Sequence, residues 1–239
     1  VRRALLFFIL LTVAAVAIIE LAGWTGRHPQ DLPWTRLRLG DPPGRFTAEK
    51  LAALRDDPAQ CLALLAEAGA ADRPAAAVDA GPDCRFDDAV RILPGGSRKA
   101  DFRPASPLAS CPLAAGLLLW DRDVLQPAAH DLYGERAVQL LHAGTLSCRR
   151  LYGRKAGAFS EHATANAIDL VGVRLAGGRT ILVGSGWRGG DPRAAAFLHR
   201  LRDGACGLFT TTLSPDYNKA HRGHFHLDLA RHSGWSACR

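Results

Sequence analysis

Two short segments hold the residues best suited to chemistry: SEHATANAID, residues 160–169, and HRGHFHLD, residues 221–228. The first supplies His162 and, seven residues later, Asp169. The second supplies His221, His224 and His226, the last two as an H-x-H pair. Two imidazoles and one carboxylate are what a catalytic zinc site takes from its protein, leaving a fourth position for water. A non-haem iron centre with a facial triad is the chemical rival for the same donors. A lone histidine on a strand is usually part of the core or the surface. The conjunction of these groups gives the pattern its meaning, because clustered His and Asp side chains are costly unless something uses them.

The elements that must position these groups can be read from their neighbours. Over residues 224–229, strand alternation sends His224, His226 and Asp228 to one face and Phe225, Leu227 and Leu229 to the other. The apolar trio suits a core and the polar trio a cleft. Asp169 is flanked by Ile168 and Leu170, which again point away from it. His162 precedes it in a loop with small residues at Ala163, Ala165 and Ala167, as a backbone packed near a cleft requires. Ser160 can hydrogen-bond this loop and support His162 from behind the ligands. Asp228 is placed to orient His224 or His226, a plain surface carboxylate being the alternative.

Helices are expected over residues 48–55 and 59–68, the second with Cys61, Leu62 and Leu65 on one face and Gly69 as its stop. Residues 70–82, rich in Ala, Pro and Asp, read as a loop, and residues 86–93 as a strand. Pro112 opens the best helix, whose buried face is Leu113, Leu117, Trp120 and Leu125, and Pro127 breaks or kinks it. A strand at 137–141 follows, then a hairpin of 167–175 and 180–183 around Gly177-Gly178. Residues 191–201 form a helix with Pro192 at its start. The order predicts an α+β fold with a small, mostly antiparallel sheet flanked by helices. Trp120, Trp187 and Trp235 are assigned to packing, and Tyr217, in SPDYN (residues 214–218), to a turn or a cleft wall.

The 239 residues divide into three expected regions. Residues 1–24 carry Arg2 and Arg3 before an uncharged apolar run. They suit a single-span anchor crossing with residues 4–24, or a cleaved signal peptide, although no good small-residue cleavage site follows Ile19. Either way the remainder is exported, to the periplasmic side of the inner membrane if the cell is a bacterium with an envelope. Residues 25–45, with four prolines, read as a tether, and residues 46–239 as the folded domain. Six cysteines, none in a C-x-x-C pair, predict up to three disulfides in an exported chain, with fifteen pairings open. Free buried thiols are the alternative. The formal charge is +7, but the arginines are scattered and no dense basic tract exists, so nucleic acid is excluded as the expected partner. An anionic envelope surface is the better match to that charge.

The S-x-H-x6-D motif followed by H-x-H resembles the zinc peptidase superfamily of D-Ala-D-Ala carboxypeptidases, murein endopeptidases and hedgehog signalling domains. The longer pattern SEHATANAIDL, FLHRLRDGACGLF and LSPDYNKAHRGHFHLDL is similar to the bacterial extensin-like C-terminal domain family, over roughly residues 84–238. The resemblance implies zinc ligands at His162, Asp169 and His226, with His224 as the active-site histidine beside the metal and a hedgehog- or DD-peptidase-like fold. His221-x-x-His224-x-His226 is also similar to the histidine spacing of penicillin-insensitive murein endopeptidases. One departure is Gly223, which stands where many superfamily peptidases place a Glu or Asp base three residues before the last ligand. His224 or His221 must then take that role. For the upstream arginine of the carboxypeptidases, Arg149 is the positional candidate and Arg150 its rival. The implied activity is Zn2+-dependent cleavage of a peptide or amide bond in peptidoglycan. The alternatives are a zinc-containing wall-binding module without catalysis, and a structural domain without metal.

Overall fold

The computed structural model of the chain describes residues 2–231 and 236–239; Trp235 lies outside the described residues. Among the described residues the helices are α1 (Arg2–Arg27), α2 (Thr47–Ala53), α3 (Pro58–Glu67), α4 (Cys111–Trp120), α5 (Gln126–Tyr133) and α6 (Pro192–Ala205), with a four-residue helical turn at Val183–Gly186. The main sheet has seven strands: β1 (Asp101–Arg103), β2 (Ala137–Gly144), β3 (Ala167–Leu175), β4 (Thr180–Leu182), β5 (Thr211–Leu213), β6 (Phe225–Asp228) and β7 (Ala237–Cys238). Their order is β7-β5-β6-β3-β2-β1, with β4 paired to β3. The β1–β2 and β5–β7 pairs are parallel and the others antiparallel. The fold is therefore α+β, as the order of elements predicts.

The core lies between this sheet and the helices. Every residue of α4 is buried, so this helix is apolar all round and runs through the centre of the molecule. Ser110 caps it by accepting from Leu113 N–H, and Pro112 occupies its first turn, where no N–H is needed. Trp120 Nε1–H donates to the carbonyl of Leu201 on α6 at 3.1 Å, tying two of the helices. Leu113, Leu117, Trp120 and Leu125 are all buried, as their spacing predicts.

Several boundaries differ from the sequence expectation for physical reasons. Pro127 does not end the central helix. A π-helical segment at Asp121–Leu125 joins α4 to α5, with Gln126 N–H bonded to Asp121 O. Widening the turn accommodates a proline that can neither donate to residue 123 nor tolerate its carbonyl. The expected strand at 86–93 is split into Arg85–Phe86 and Ala89–Arg91, which pair in separate small ladders. The expected loop at 70–82 carries two of their partners, Arg73–Pro74 and Val78–Asp79. The strand begun at Ala137 runs on to Gly144, and the strand expected from His224 begins at Phe225.

All six cysteines are paired: Cys61–Cys111 joins α3 to α4, Cys84–Cys148 fastens the loop after β2, and Cys206–Cys238 ties the end of α6 to β7. Helix α1 is 26 residues long, with none buried against the rest of the chain, and is long and apolar enough to cross a membrane. The segment expected as a free tether departs from that reading. Leu39 is 2% exposed within the core, and the Arg122 guanidinium donates to the carbonyls of Leu39 and Asp41.

Candidate functional site

The floor of the site is the β3–β6 ladder. Phe225 and Leu227 on β6, and Ile168 and Leu170 on β3, face the core. Alternation therefore turns His226 and Asp169 the other way, and the register sets them directly opposite each other. His162 reaches the same point from a 3-10 turn, Glu161–Thr164. Ser160 begins this turn, its hydroxyl accepting from His162 N–H at 3.4 Å. Ala165 ends it in the left-handed region, at φ 52°. Asn166 bolts it to the core: its Oδ1 accepts from Ser110 Oγ at 2.8 Å and its Nδ2 donates to Glu161 at 2.7 Å. Ala163, Ala165 and Ala167 are buried, leaving room for this close packing.

One donor atom from each of His162, Asp169 and His226 lies within 4.8 Å of the others. Asp169 Oδ1 is the hub, 3.2 Å from His162 Nε2, 3.0 Å from His226 Nδ1 and 3.5 Å from His224 Nε2. The opposite nitrogen of each outer imidazole is already committed. His162 Nδ1–H donates to the Thr145 carbonyl at 3.1 Å, and His226 Nε2–H to Asp228 Oδ2 at 2.8 Å. Such partners fix the ring orientation, so that an inward nitrogen relieved of its proton points a lone pair at the common centre, as metal-binding histidines require. By donor set and convergence these residues fit a divalent ion of the zinc type.

The electrostatics agree with this geometry. Burial acts to raise Asp169, but hydrogen bonds from His162 and His226 and the charges of His162 and His224 hold its carboxyl well below the usual range. Burial likewise opposes a proton on His226, yet its bonds to Asp169 and Asp228, with their negative charges, raise it to about 9. A proton on His226 thus occupies the position that a cation would take. His221 goes the other way, pushed down to about 4 by burial and then by its neighbours His224 and His226. His224 is also lowered, first by burial. Both rings are neutral at neutral pH.

A cleft of about 330 Å3 opens over the three donors. Arg149, Ser160, His162, Asp169, His221, His224 and His226 all line it. Asp228 lies behind His226 rather than in this cleft, and of its two expected partners it takes His226. Arg150 is engaged elsewhere: its guanidinium sits 4.2 Å from the Phe159 ring and donates to the Gly157 carbonyl. Trp187 is buried against His199 and Phe225 and serves packing. Tyr217 is exposed and borders a second cleft of about 560 Å3, which shares His226 with the first.

Three contributors escape a reading of residue types. The Thr145 carbonyl is a backbone group that any residue would supply. Tyr152 lies on the cleft rim with a left-handed backbone (φ 56°), a conformation uncommon for a bulky side chain. Asn218 holds His221 through its side chain at 2.8 Å. Only Asn218 left a trace in the sequence, as the last residue of the turn before the histidines.

Fold and site together define a class: a mixed α+β domain, braced by disulfides, with two histidines and an aspartate convergent at the bottom of an open cleft. Within that class the chain belongs to the family described as extensin-like protein C-terminus, which matches residues 59–239 and so includes every cleft residue and all three disulfides. No curated protein and no solved structure matches the chain.

Proposed function

We propose that this protein is a zinc-dependent hydrolase of the cell envelope, acting on a peptide or amide bond of peptidoglycan stem peptides. The carrying observation is the convergence of His162, Asp169 and His226 within 4.8 Å, each outer ring held by a partner on its far side. The similarity of the S-x-H-x6-D and H-x-H motifs to those of zinc peptidases supports the same reading. A zinc ion held there supplies Lewis acidity, acidifying water and polarising a carbonyl.

The chain's own residues supply the rest. Neutral imidazoles at His221 and His224 stand beside the donors, able to accept a proton and return it to a leaving amine. Arg149 brings a fixed positive charge to the cleft wall, suited to a developing oxyanion or a substrate carboxylate. The paired cysteines and the apolar α1 support export, with the domain on the periplasmic side of the inner membrane.

Gly223 favours a second reading, because no carboxylate base stands three residues before His226. The domain would then keep its metal and bind the wall without cutting it. The two readings part in one experiment. Protein purified without a metal-binding tag is assayed for metal by mass spectrometry, then incubated with purified sacculi. One zinc per chain, with muropeptides released by wild type but not by Asp169→Asn, supports the hydrolase. Pelleting with sacculi without any release supports the binding module, and absence of metal sinks both.

A further inference from the structure

Two histidines compete for the role of base in the proposed reaction, and their surroundings differ. His224 Nε2 lies 3.5 Å from Asp169 Oδ1, a distance without a hydrogen bond, so no partner among the described residues fixes which of its ring nitrogens carries the proton. His221 is held from the far side instead. Asn218 begins the 3-10 turn Lys219–His221, and its Oδ1 accepts from the backbone N–H groups of Ala220 (2.9 Å) and His221 (3.3 Å). The same oxygen lies 2.8 Å from His221 Nδ1. The amide cannot be turned over, because a flipped Asn218 would set its NH2 against two backbone N–H groups. Its NH2 is placed on the other side, donating to the Tyr152 hydroxyl at 3.2 Å. An oxygen that can only accept faces Nδ1, so Nδ1 carries the proton and Nε2 carries the lone pair.

We infer that Asn218 is a positioning residue that locks His221 in its Nδ1–H form and thereby makes His221, rather than His224, the proton acceptor of the cleft. Tyr152 is the outer member of the same chain, steadying the Asn218 amide from the rim. The inference rests on the hydrolase reading for its catalytic half only; the tautomer is a property of the folded chain.

The test uses 15N-histidine-labelled full-length protein in detergent, stripped of metal with a chelator, with two variants. Asn218→Ser keeps a cap for the turn, but its hydroxyl can donate as well as accept and so imposes no tautomer. Asn218→Asp keeps an obligate acceptor. In the wild type, His221 Nδ1 should resonate as a protonated nitrogen and Nε2 as an unprotonated one. Asn218→Ser should draw the two signals together, and Asn218→Asp should restore their separation. On sacculi, Asn218→Ser should lower kcat by roughly tenfold with KM unchanged, because only part of the population presents the lone pair. A wild-type His221 protonated on Nε2, or signals unmoved in Asn218→Ser, overturns the inference. If sacculi are not cut by any form while the signals behave as stated, the hydrolase reading fails and the assigned tautomer stands.

Discussion

At the residue scale, the imidazoles of this site pull stability in opposite directions with pH. His221 and His224 have lowered values, so the unfolded chain binds more protons than the folded one as pH falls below their usual 6.5; the stability they contribute is lost in that window, for His221 down to about 4. His226 is raised, so its contribution is complete below 6.5 and is lost as pH rises toward about 9. Metal-free protein should therefore be most stable near pH 6.5, losing urea resistance on both sides. A profile rising steadily from pH 5 to 9 would contradict these assignments. On the zinc reading proposed above, the metal must displace the His226 proton, so its apparent affinity should weaken about tenfold for each pH unit below 9. Asp228→Asn leaves all three donors in place but weakens the support behind His226, and should cost roughly 10–100-fold in zinc affinity by competition with a chelating dye. His162, Asp169 and His226 were legible in the sequence because residue type and strand alternation together declare them. The anchoring of His162 was not, since its partner is a carbonyl of Thr145 and backbone oxygens leave no mark on a sequence.

At the element scale, the site depends on two kinds of support. The β3–β6 register holds Asp169 and His226 with core packing beneath, whereas the loop after β2 that carries Arg149 relies on the Cys84–Cys148 bridge and a few backbone bonds. Replacing both cysteines with serine should lower stability to urea by about 2–4 kcal/mol. On the zinc reading proposed above, metal content should stay at one per chain, because Asp169 and His226 sit on the ladder and His162, farther along the same connection, is tied to the core through Asn166 and Ser110. Loss of zinc together with the bridge would show that the loop, not the ladder, holds the site. The strands of the site were readable because each alternates cleanly between core and cleft, and the hairpin from Ala167 to Leu182 announced itself through Gly177-Gly178. The continuation of the central helix past Pro127 was not readable, because a proline signals a break locally and only the surrounding core shows that a π turn absorbs it. Pairing of the cysteines was equally closed to sequence reasoning: six thiols admit many partners until the fold brings them together.

At the scale of the whole molecule, α1 and the domain make different demands on solvent. A helix of 26 residues with no buried side chain is long and apolar enough to cross a membrane, and as the anchor expected from the sequence it would sit in lipid or detergent. Full-length protein should sediment with membranes through high-salt and alkaline washes and be released by detergent, while a chain lacking residues 2–27 should be soluble with its three disulfides formed. Recovery of the full-length form in the soluble fraction would count against the span. Between α1 and the domain there is little slack. The Pro29 carbonyl accepts from Lys50 Nζ at 3.3 Å, Asp31 accepts from Arg45 N–H at 2.8 Å, and Leu39 is sunk in the core, so the ordered body begins almost where the helix stops. A leash that short gives a bilayer-held copy a patrol radius scarcely larger than its own diameter. Such a protein would work only the thin layer of material next to the lipid, and lengthening the joint at His28 by a flexible insert would widen its beat without touching a single residue of the cleft.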